Sequence, residues 1–339
     1  MNHRVLFFIL LISALMTGCG VNVFAAPVPT ATQTETQLPP TETATALPTF
    51  AITPNTATPS LTPTPTWVAQ GPDHVLVPIL MYHHIAVSPV GSIFYVPPDK
   101  FEAQIKLLHD WNYTSITTSM LVQAITQGAS LPPRPVIITF DDSWGSQYTN
   151  AFPIMKKYGF TGVLYTVVGY INKSSGLEAD PNYLTTDQLK EMAAAGWEIG
   201  SHTETHPDLL ADATALRYEI VQSRKDLQTM LGVPILTFAY PFGDAGSAAV
   251  DYVHFAGYIA AMGATGFAAD QGKGNLFLLQ REEIRGTEDV KSFIRFLPWL
   301  GDPSFLPTDT PTPTPTASRT PIPTYTQYPT RTPGTTPIP

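Results

Sequence analysis

Residues 135–143 have the sequence Pro-Val-Ile-Ile-Thr-Phe-Asp-Asp-Ser, a short apolar run followed at once by two carboxylates and a hydroxyl. Apolar residues at nearly every successive position are typical of a strand that is covered on both faces, as the strands of parallel sheets are. The segment therefore predicts a buried parallel strand over residues 135–140, with a polar cluster at its carboxyl end.

Segments typical of strands and helices alternate on both sides of this run. One predicted helix begins with Thr185 and Gln188 at the spacing of a capping box. Alternation over about 230 residues predicts a parallel α/β architecture. The predicted strands span residues 75–82, 135–140, 162–168, 197–201, 235–240, 258–262 and 277–284, and the predicted helices span residues 99–111, 146–158, 185–195, 213–231, 247–255 and 290–297.

The absence of a Gly-rich loop from the sequence helps to distinguish a barrel from an open, doubly wound sheet. No Gly-rich loop of the kind that binds dinucleotides or phosphate occurs, which favours a closed or partly open barrel over a doubly wound sheet. In a barrel of parallel strands, functional side chains lie at the carboxyl ends of the strands. We therefore expect the polar residues that follow the predicted strands to lie near one another.

Composition divides the chain into one folded domain and two flanks. Residues 71–302 are mixed and apolar-rich, whereas residues 20–70 and 303–339 are dominated by Thr and Pro. Frequent proline removes backbone donors and favours extended conformations, so we expect a disordered linker and a disordered tail. The predicted domain is large enough for a single core.

The first 19 residues are typical of a signal peptide. A short apolar run follows Arg4 and ends in Met16-Thr17-Gly18-Cys19, which resembles a bacterial lipoprotein cleavage box. We expect an exported protein, anchored through a lipid on Cys19 to the outer side of the cytoplasmic membrane or to the cell surface. The alternative is an ordinary secretion signal, with Cys19 lost at cleavage. Cys19 is the one cysteine of the chain, so no internal disulfide forms.

The formal net charge of −9 belongs to the predicted domain. An acidic domain repels phosphate backbones, which argues against nucleic acid as a partner. Outside the domain three acids balance three bases, namely Glu35, Glu42 and Asp309 against Arg4, Arg319 and Arg331.

The histidines of the sequence His202-Thr-Glu-Thr-His206 follow the predicted strand 197–201. Two histidines four residues apart can converge on one cation, and a carboxylate completes a three-ligand site with open positions. Such a set suits Zn²⁺ and also Fe²⁺, Co²⁺ or Ni²⁺. The Asp pair after strand 135–140 can supply that carboxylate and leave its neighbour to accept a proton. An exposed polar loop remains the alternative interpretation of the histidines.

Two further strand ends carry candidate groups. In Ala239-Tyr-Pro-Phe-Gly-Asp244, proline and glycine predict a turn whose backbone N–H can stabilise an oxyanion. His83 and His84 end the first predicted strand, and consecutive strand residues face opposite ways. At most one of them is therefore expected to reach the site, where a histidine is a natural general acid.

Taken together, these clusters resemble the polysaccharide deacetylase family, carbohydrate esterase family four. The resemblance rests on residues 139–143, residues 201–206 and the lead-in of residues 189–200, and it covers the chain from about residue 75 to residue 297. It implies a distorted (β/α) barrel and removal of N-acetyl groups from a polysaccharide. It also implies that Asp142, His202 and His206 bind the metal and that Asp141 is the general base, which activates a metal-bound water.

The sequence departs from the common family pattern at two places. Ala239 stands where members often carry arginine, and Phe242 replaces a tyrosine, although a backbone N–H of Phe242 still serves an oxyanion; we expect Tyr240 beside it. Arg281 is a candidate to replace the missing arginine and orient Asp141. A late Leu-x-His motif is also absent. The chain resembles a permuted branch of the family, close to the poly-N-acetylglucosamine deacetylases, in which His83 would supply the general acid.

Three interpretations of function follow from the sequence. The first is a metal-dependent deacetylase, with zinc as the expected metal, acting on an N-acetylglucosamine-type polymer at the cell surface. The second is a catalytically dead carbohydrate-binding or wall-attachment module on the same fold, and the third is a hydrolase of small amides. The retention of both aspartates and both histidines favours an enzyme. The polymer, the metal and the oligomeric state stay open.

Overall fold

The computed structural model describes residues 68–210, 214–265 and 269–301. The predicted signal peptide, Cys19, nearly all of the linker and the tail lie outside these residues. Within the described ranges, none of the helices has the length and apolar character needed to cross a membrane.

Twelve strands and seven α-helices are found in the described residues. The strands are β1 (Val68–Ala69), β2 (His74–Leu76), β3 (Ile79–Tyr82), β4 (Thr114–Ser115), β5 (Ser130–Leu131), β6 (Pro135–Phe140), β7 (Val163–Thr166), β8 (Glu198–Ser201), β9 (Thr237–Ala239), β10 (Ala260–Thr265), β11 (Asp270–Gly272) and β12 (Leu279–Glu283). The helices are α1 (Pro98–Asp110), α2 (Thr118–Gln127), α3 (Phe152–Lys157), α4 (Thr186–Ala194), α5 (Ser223–Leu231), α6 (Ser247–Ala256) and α7 (Val290–Phe293).

Seven parallel strands close into a ring. Their order is β3-β12-β10-β9-β8-β7-β6, and β6 pairs back onto β3. The short strand β4 extends the sheet beside the start of β6. The predicted (β/α) barrel is therefore confirmed, and its first and last strands are neighbours.

Strand β6 shows why this sequence forms a barrel. All six of its residues are buried, and its proline occupies the first position, where a missing N–H costs little. Ile137 packs in the cluster inside the ring with Val163 and Met262, whereas Ile138 packs in the outer cluster with α-helical residues such as Leu189. The period of two thus sends alternate residues into two different cores.

One end of the ring is closed by α2. Its buried residues Leu121 and Ile125 belong to the interior cluster. The chain marks both ends of this helix, because the Thr117 hydroxyl accepts from the N–H of Met120 and Gly128 ends the helix in the left-handed conformation. The sequence analysis did not predict this helix. Its position leaves the carboxyl ends of the strands as the open end.

Most element bounds agree with prediction to within a few residues, and three predicted elements differ. The predicted strand 75–82 is divided into β2 and β3, because Pro78 has no N–H to give to a ladder; β2 instead pairs antiparallel with β11. The predicted helices 146–158 and 213–231 begin in wider π-helical turns, at Gln147–Ala151 and Arg217–Gln222. The predicted capping box of Thr185 and Gln188 is present.

Candidate active site

A pocket of about 460 Å³ opens at the carboxyl ends of the barrel strands. All eight of the residues that the sequence analysis singled out as site residues border it. They are His83, Asp141, Asp142, His202, His206, Tyr240, Phe242 and Arg281.

Asp142, His202 and His206 form a cluster with the dimensions of a metal site. The Oδ1 atom of Asp142 lies 3.5 Å from Nε2 of His202 and 3.3 Å from Nε2 of His206. One ligand atom from each of the three residues lies within 4.8 Å of the others. Two atoms bound tetrahedrally at 2.0–2.1 Å from a metal are about 3.3 Å apart, so these residues fit a zinc-sized cation.

Backbone conformation separates the two carboxylates. Asp142 and Ser143 have φ angles of 71° and 65°, in the left-handed region that side chains disfavour. The chain therefore turns sharply directly after β6. Asp141 continues the strand, with its N–H donating to the carbonyl of Tyr82 at 3.0 Å, while Asp142 points toward the histidines.

Two of the three metal-cluster residues, Asp142 and His202, have a hydrogen-bond partner that fixes their orientation. Nδ1 of His202 lies 2.7 Å from the carbonyl of Ala239, so this nitrogen donates and Nε2 remains for a cation. The indole N–H of Trp144 donates to Oδ2 of Asp142 at 3.1 Å, which leaves Oδ1 beside the imidazoles. Trp144 comes two residues after Asp142, but no sequence signal distinguished it from a packing residue.

The loop that carries both histidines is held by Glu219. Its buried carboxylate accepts from the backbone N–H groups of Glu204 and Thr205 at 3.0 and 2.8 Å, and from the Thr205 hydroxyl at 2.7 Å. Within the loop, the Thr203 hydroxyl accepts from the N–H of His206 at 2.9 Å. The sequence analysis missed Glu219; an acid at a buried position of a predicted helix was the available signal.

Arg281 pairs with Asp141 inside the barrel mouth. Nη1 of Arg281 donates to Oδ1 of Asp141 at 2.7 Å, and both side chains are buried. Burial by itself raises the pKa of Asp141, but the charges of Arg281 and His202 outweigh it and lower that pKa below its ordinary value. The pair thus keeps a buried carboxylate ionised. This is the contact expected for an arginine that replaces the one missing at Ala239.

The two adjacent histidines after β3 have different surroundings. His83 borders the pocket, and its Nδ1 is buried without a hydrogen-bond partner among the described residues. His84 also borders the pocket, but its ring is stacked on Tyr95 and packed against the tilted ring of Trp144, with ring centroids 3.8 and 3.9 Å away. Its Nδ1 lies 3.0 Å from Asp180. His84 is thus a packed residue, and His83 is left with a free ring nitrogen.

The turn after β9 brings Tyr240 and Phe242 to the pocket. Phe242 has φ 60° and ψ 2°, and the N–H of Gly243 donates to the carbonyl of Tyr240 at 2.9 Å to close the turn. Burial raises the pKa of Tyr240, whose hydroxyl has no hydrogen-bond partner in the described part of the chain. A polar atom of this kind, buried at a pocket wall, is available to a ligand.

Comparison with known proteins points to one family. The family model described as polysaccharide deacetylase matches residues 128–261. A Bacillus subtilis (strain 168) protein with the name "Putative polysaccharide deacetylase YxkH" is 35% identical over 168 residues, which are 49% of this chain and 57% of that protein. The poly-beta-1,6-N-acetyl-D-glucosamine N-deacetylase of Staphylococcus aureus (strain MRSA252) is 29% identical over 161 residues, 44% of this chain and 54% of that protein. The chain therefore spans a little more than half the length of these relatives.

A solved structure resembles a larger part of the chain. The Streptococcus pyogenes deacetylase PplD, in a complex with acetate, is 27% identical. The match has a TM-score of 0.57 and covers 69% of this chain and 99% of that protein. The similarity therefore extends over nearly the whole described barrel.

Proposed function

We propose that the chain is a member of the polysaccharide deacetylase family and a metal-dependent hydrolase that removes N-acetyl groups from a polysaccharide of N-acetylglucosamine type, which its similarity to deacetylases supports. The proposal depends on one observation: two carboxylates that are neighbours in the chain have different partners in the same pocket. Asp142 lies beside His202 and His206, whereas Asp141 is paired with Arg281.

We assign the metal to Asp142, His202 and His206, with zinc first and cobalt, nickel or iron as alternatives. A divalent cation there supplies Lewis acidity, which polarises the amide carbonyl and lowers the pKa of water. His202 is prepared for this by its bond to the Ala239 carbonyl, and Asp142 by its bond to Trp144.

Asp141 is the proposed general base. Its carboxylate is held by Arg281, which keeps it ionised and leaves Oδ2 on the side of His202, 3.9 Å from Nε2. A proton taken from the attacking water therefore goes to an oxygen next to the metal cluster. Arg281 acts on the reaction through Asp141 and is a positioning residue.

Two groups complete the proposed reaction. The backbone N–H of Phe242 is assigned to the oxyanion, because the left-handed turn places this residue at the pocket, with Tyr240 as a neighbouring wall. His83 is assigned to protonate the leaving amine, since its Nδ1 has no hydrogen-bond partner among the described residues. Both assignments are supported by position at the pocket.

The substrate and location are part of the proposal. The Staphylococcus aureus relative is named for a poly-β-1,6-linked N-acetylglucosamine, which favours an extracellular or cell-surface polymer for this chain. The predicted signal peptide and lipid anchor at Cys19 agree with that location. A dead carbohydrate-binding module is less well supported, because the four charged or metal-binding groups, Asp141, Asp142, His202 and His206, all border the pocket.

The test is acetate release by the full chain after metal removal and reconstitution with zinc, cobalt, nickel or iron. Poly-β-1,6-N-acetylglucosamine, chitin-like β-1,4 oligomers, peptidoglycan and acetylated xylan are the substrates. We expect release from an N-acetylglucosamine polymer that depends on the metal. Asp141→Asn should lower kcat by at least about 100-fold, because a general base typically contributes at least this factor to the rate. Asp251→Asn, on the exposed surface of α6, is the matched control. No release with any metal would favour the binding module.

A further inference from the structure

Two exposed phenylalanines border the pocket, and burial explains neither of them. Phe94 is 45% exposed and Phe242 is 66% exposed, although both line the pocket that contains the carboxylates and imidazoles. The backbone of Phe242 lies in the left-handed region, with φ 60°, which is strained for a bulky residue. Two exposed aromatic side chains at the rim of one pocket, one of them on a strained backbone, point to contact with a ligand.

The two rings lie on opposite sides of the barrel mouth. Phe94 is in the loop after β3, where its carbonyl accepts from the N–H of His84 at 3.2 Å and fastens the loop to the strand end. Phe242 is in the turn directly after β9. Around the closed ring β3-β12-β10-β9-β8-β7-β6, strand β9 is three steps from β3 in one direction and four in the other. The two phenylalanines are therefore across the pocket from each other.

Each phenyl ring contacts an imidazole of the site. The ring centroids of Phe94 and His83 are 5.2 Å apart, and those of Phe242 and His206 are 4.9 Å apart. The planes are inclined by 63° and 69°, so the rings meet edge to face. The proposed metal cluster and general acid thus lie between two aromatic surfaces.

We propose that Phe94 and Phe242 are stacking sites for the two sugar residues that flank the residue being deacetylated. This rests on the proposed function and specifies its substrate as the interior of a chain. A β-linked pyranose with equatorial substituents has flat faces of C–H groups that pack on an aromatic ring. The acetylated residue lies at Asp142, His202 and His206, and its two neighbours lie on the phenyl rings.

A lipid surface is the other ligand that exposed phenylalanines fit, and charge argues against it. The net charge of −9 belongs to residues 71–302, and anionic headgroups repel an acidic surface. Asp141, Asp142 and Glu283 border the same pocket. A neutral carbohydrate chain meets no such repulsion.

The test compares Phe94→Ala with Phe255→Ala. Phe255 is a matched control, because it is 72% exposed on α6 and does not border this pocket. Acetate release by the zinc-loaded full chain is measured on N-acetylglucosamine oligomers of one to five residues, in β-1,4 and β-1,6 linkage. We expect wild-type kcat/KM to rise up to three residues. Phe94→Ala should lower the ratio of kcat/KM for the trimer to kcat/KM for the monomer by about three- to tenfold, mainly through a higher KM for the trimer. A factor of this size corresponds to the free energy of one aromatic contact. Phe94→Trp should keep the ratio, and Phe255→Ala should not change it.

Calorimetric binding of the trimer to metal-free protein gives a readout without turnover. If the wild type releases no acetate, the proposed function fails, and the trimer affinities of wild type and Phe94→Ala still decide whether Phe94 is a stacking site. The proposal is overturned if wild type and Phe94→Ala have equal trimer-to-monomer ratios of kcat/KM. Where no acetate is released, it is overturned if the two proteins bind the trimer with equal affinity. If Phe94→Ala sediments less with anionic vesicles than wild type but binds the trimer equally well, Phe94 contacts a lipid surface instead. Both proteins carry Cys19→Ala in that experiment, so that the expected lipid anchor does not contribute to sedimentation.

Discussion

Asp141 and Asp142 are neighbours in the chain, yet their carboxylates have separate partners. Asp141 pairs with Arg281 at 2.7 Å, while Asp142 lies near two imidazoles. The sequence was sufficient to predict that two adjacent carboxylates would differ, because adjacent side chains do not share a face of a strand. It was not sufficient to predict Trp144 and Glu219, because each reaches the site through contacts that only the folded chain creates.

The Arg281 and Asp141 pair predicts a large effect on stability. Arg281→Met leaves a buried carboxylate without its cation, so we expect the free energy of unfolding to fall by about 3–5 kcal/mol. The double variant Asp141→Asn, Arg281→Met should regain part of this loss without regaining activity. Denaturant unfolding measures the change, and Lys157→Met, which removes the exposed partner of Glu102, is the control. A single variant within 1 kcal/mol of wild type, on the scale of exposed pairs, contradicts the expectation.

Glu219 predicts an effect on metal affinity. Glu219→Ala removes the acceptor that holds the loop between the two histidines, and we expect about 10- to 100-fold weaker metal binding. Glu219→Gln should keep most of the affinity, because its amide oxygen can accept from the same two N–H groups. Titration of the metal-free protein measures both, with Glu102→Gln as a surface control. Equal affinity of the alanine variant and wild type would show that the loop holds its shape without Glu219.

At the scale of elements, the site is assembled from the ends of different strands. The apolar run of β6 and the polar residues directly after β6 and β8 were visible in the sequence, because strand period and strand ends leave a local pattern. The helix α2 and the division at Pro78 were missed, because closing the ring is a tertiary requirement. The arginine supplied by β12 shows the same dependence on the whole ring.

Close packing of β8 predicts the effect of a single methyl group. A Cβ on Gly200 would lie 2.5 Å from the ring of Tyr165 and 2.9 Å from the Thr237 carbonyl. Since that ring is fully buried and cannot move aside, we expect Gly200→Ala to lower the free energy of unfolding by about 1–3 kcal/mol. Gly274→Ala meets nothing within 4 Å and is the control. If the two variants have the same Tm, the barrel accommodates the added methyl group without loss of stability.

At the scale of the whole molecule, a barrel is combined with Thr/Pro-rich flanks. The barrel was predicted from sequence and is confirmed, and the predicted resemblance to polysaccharide deacetylases is matched by a family model over residues 128–261. The flanks were assigned from composition alone, and they lie outside the described residues. The proposed tether at Cys19 therefore depends on the sequence.

The tether predicts where the protein is found. Cys19→Ala should move the protein from the membrane fraction to the medium. Without the cysteine there is no site for a lipid, and the remaining apolar signal peptide is removed by cleavage. Acetate release from soluble oligomers should not change, because the barrel is a separate part of the chain. Fractionation with an antibody to the barrel, together with labelling by a radioactive fatty acid, measures the effect. Membrane association that survives the substitution contradicts a lipid on Cys19.

The pairing of the first barrel strand with the last has a consequence for biogenesis. Arg281 comes from β12, which lies between β3 and β10, so a chain that emerges amino end first carries Asp141 long before its partner. Any fragment that ends before residue 279 lacks both the closing strand and the guanidinium. Under the proposed function, we therefore expect acetate release to require synthesis of the final strand, so that chains truncated before it should be inactive.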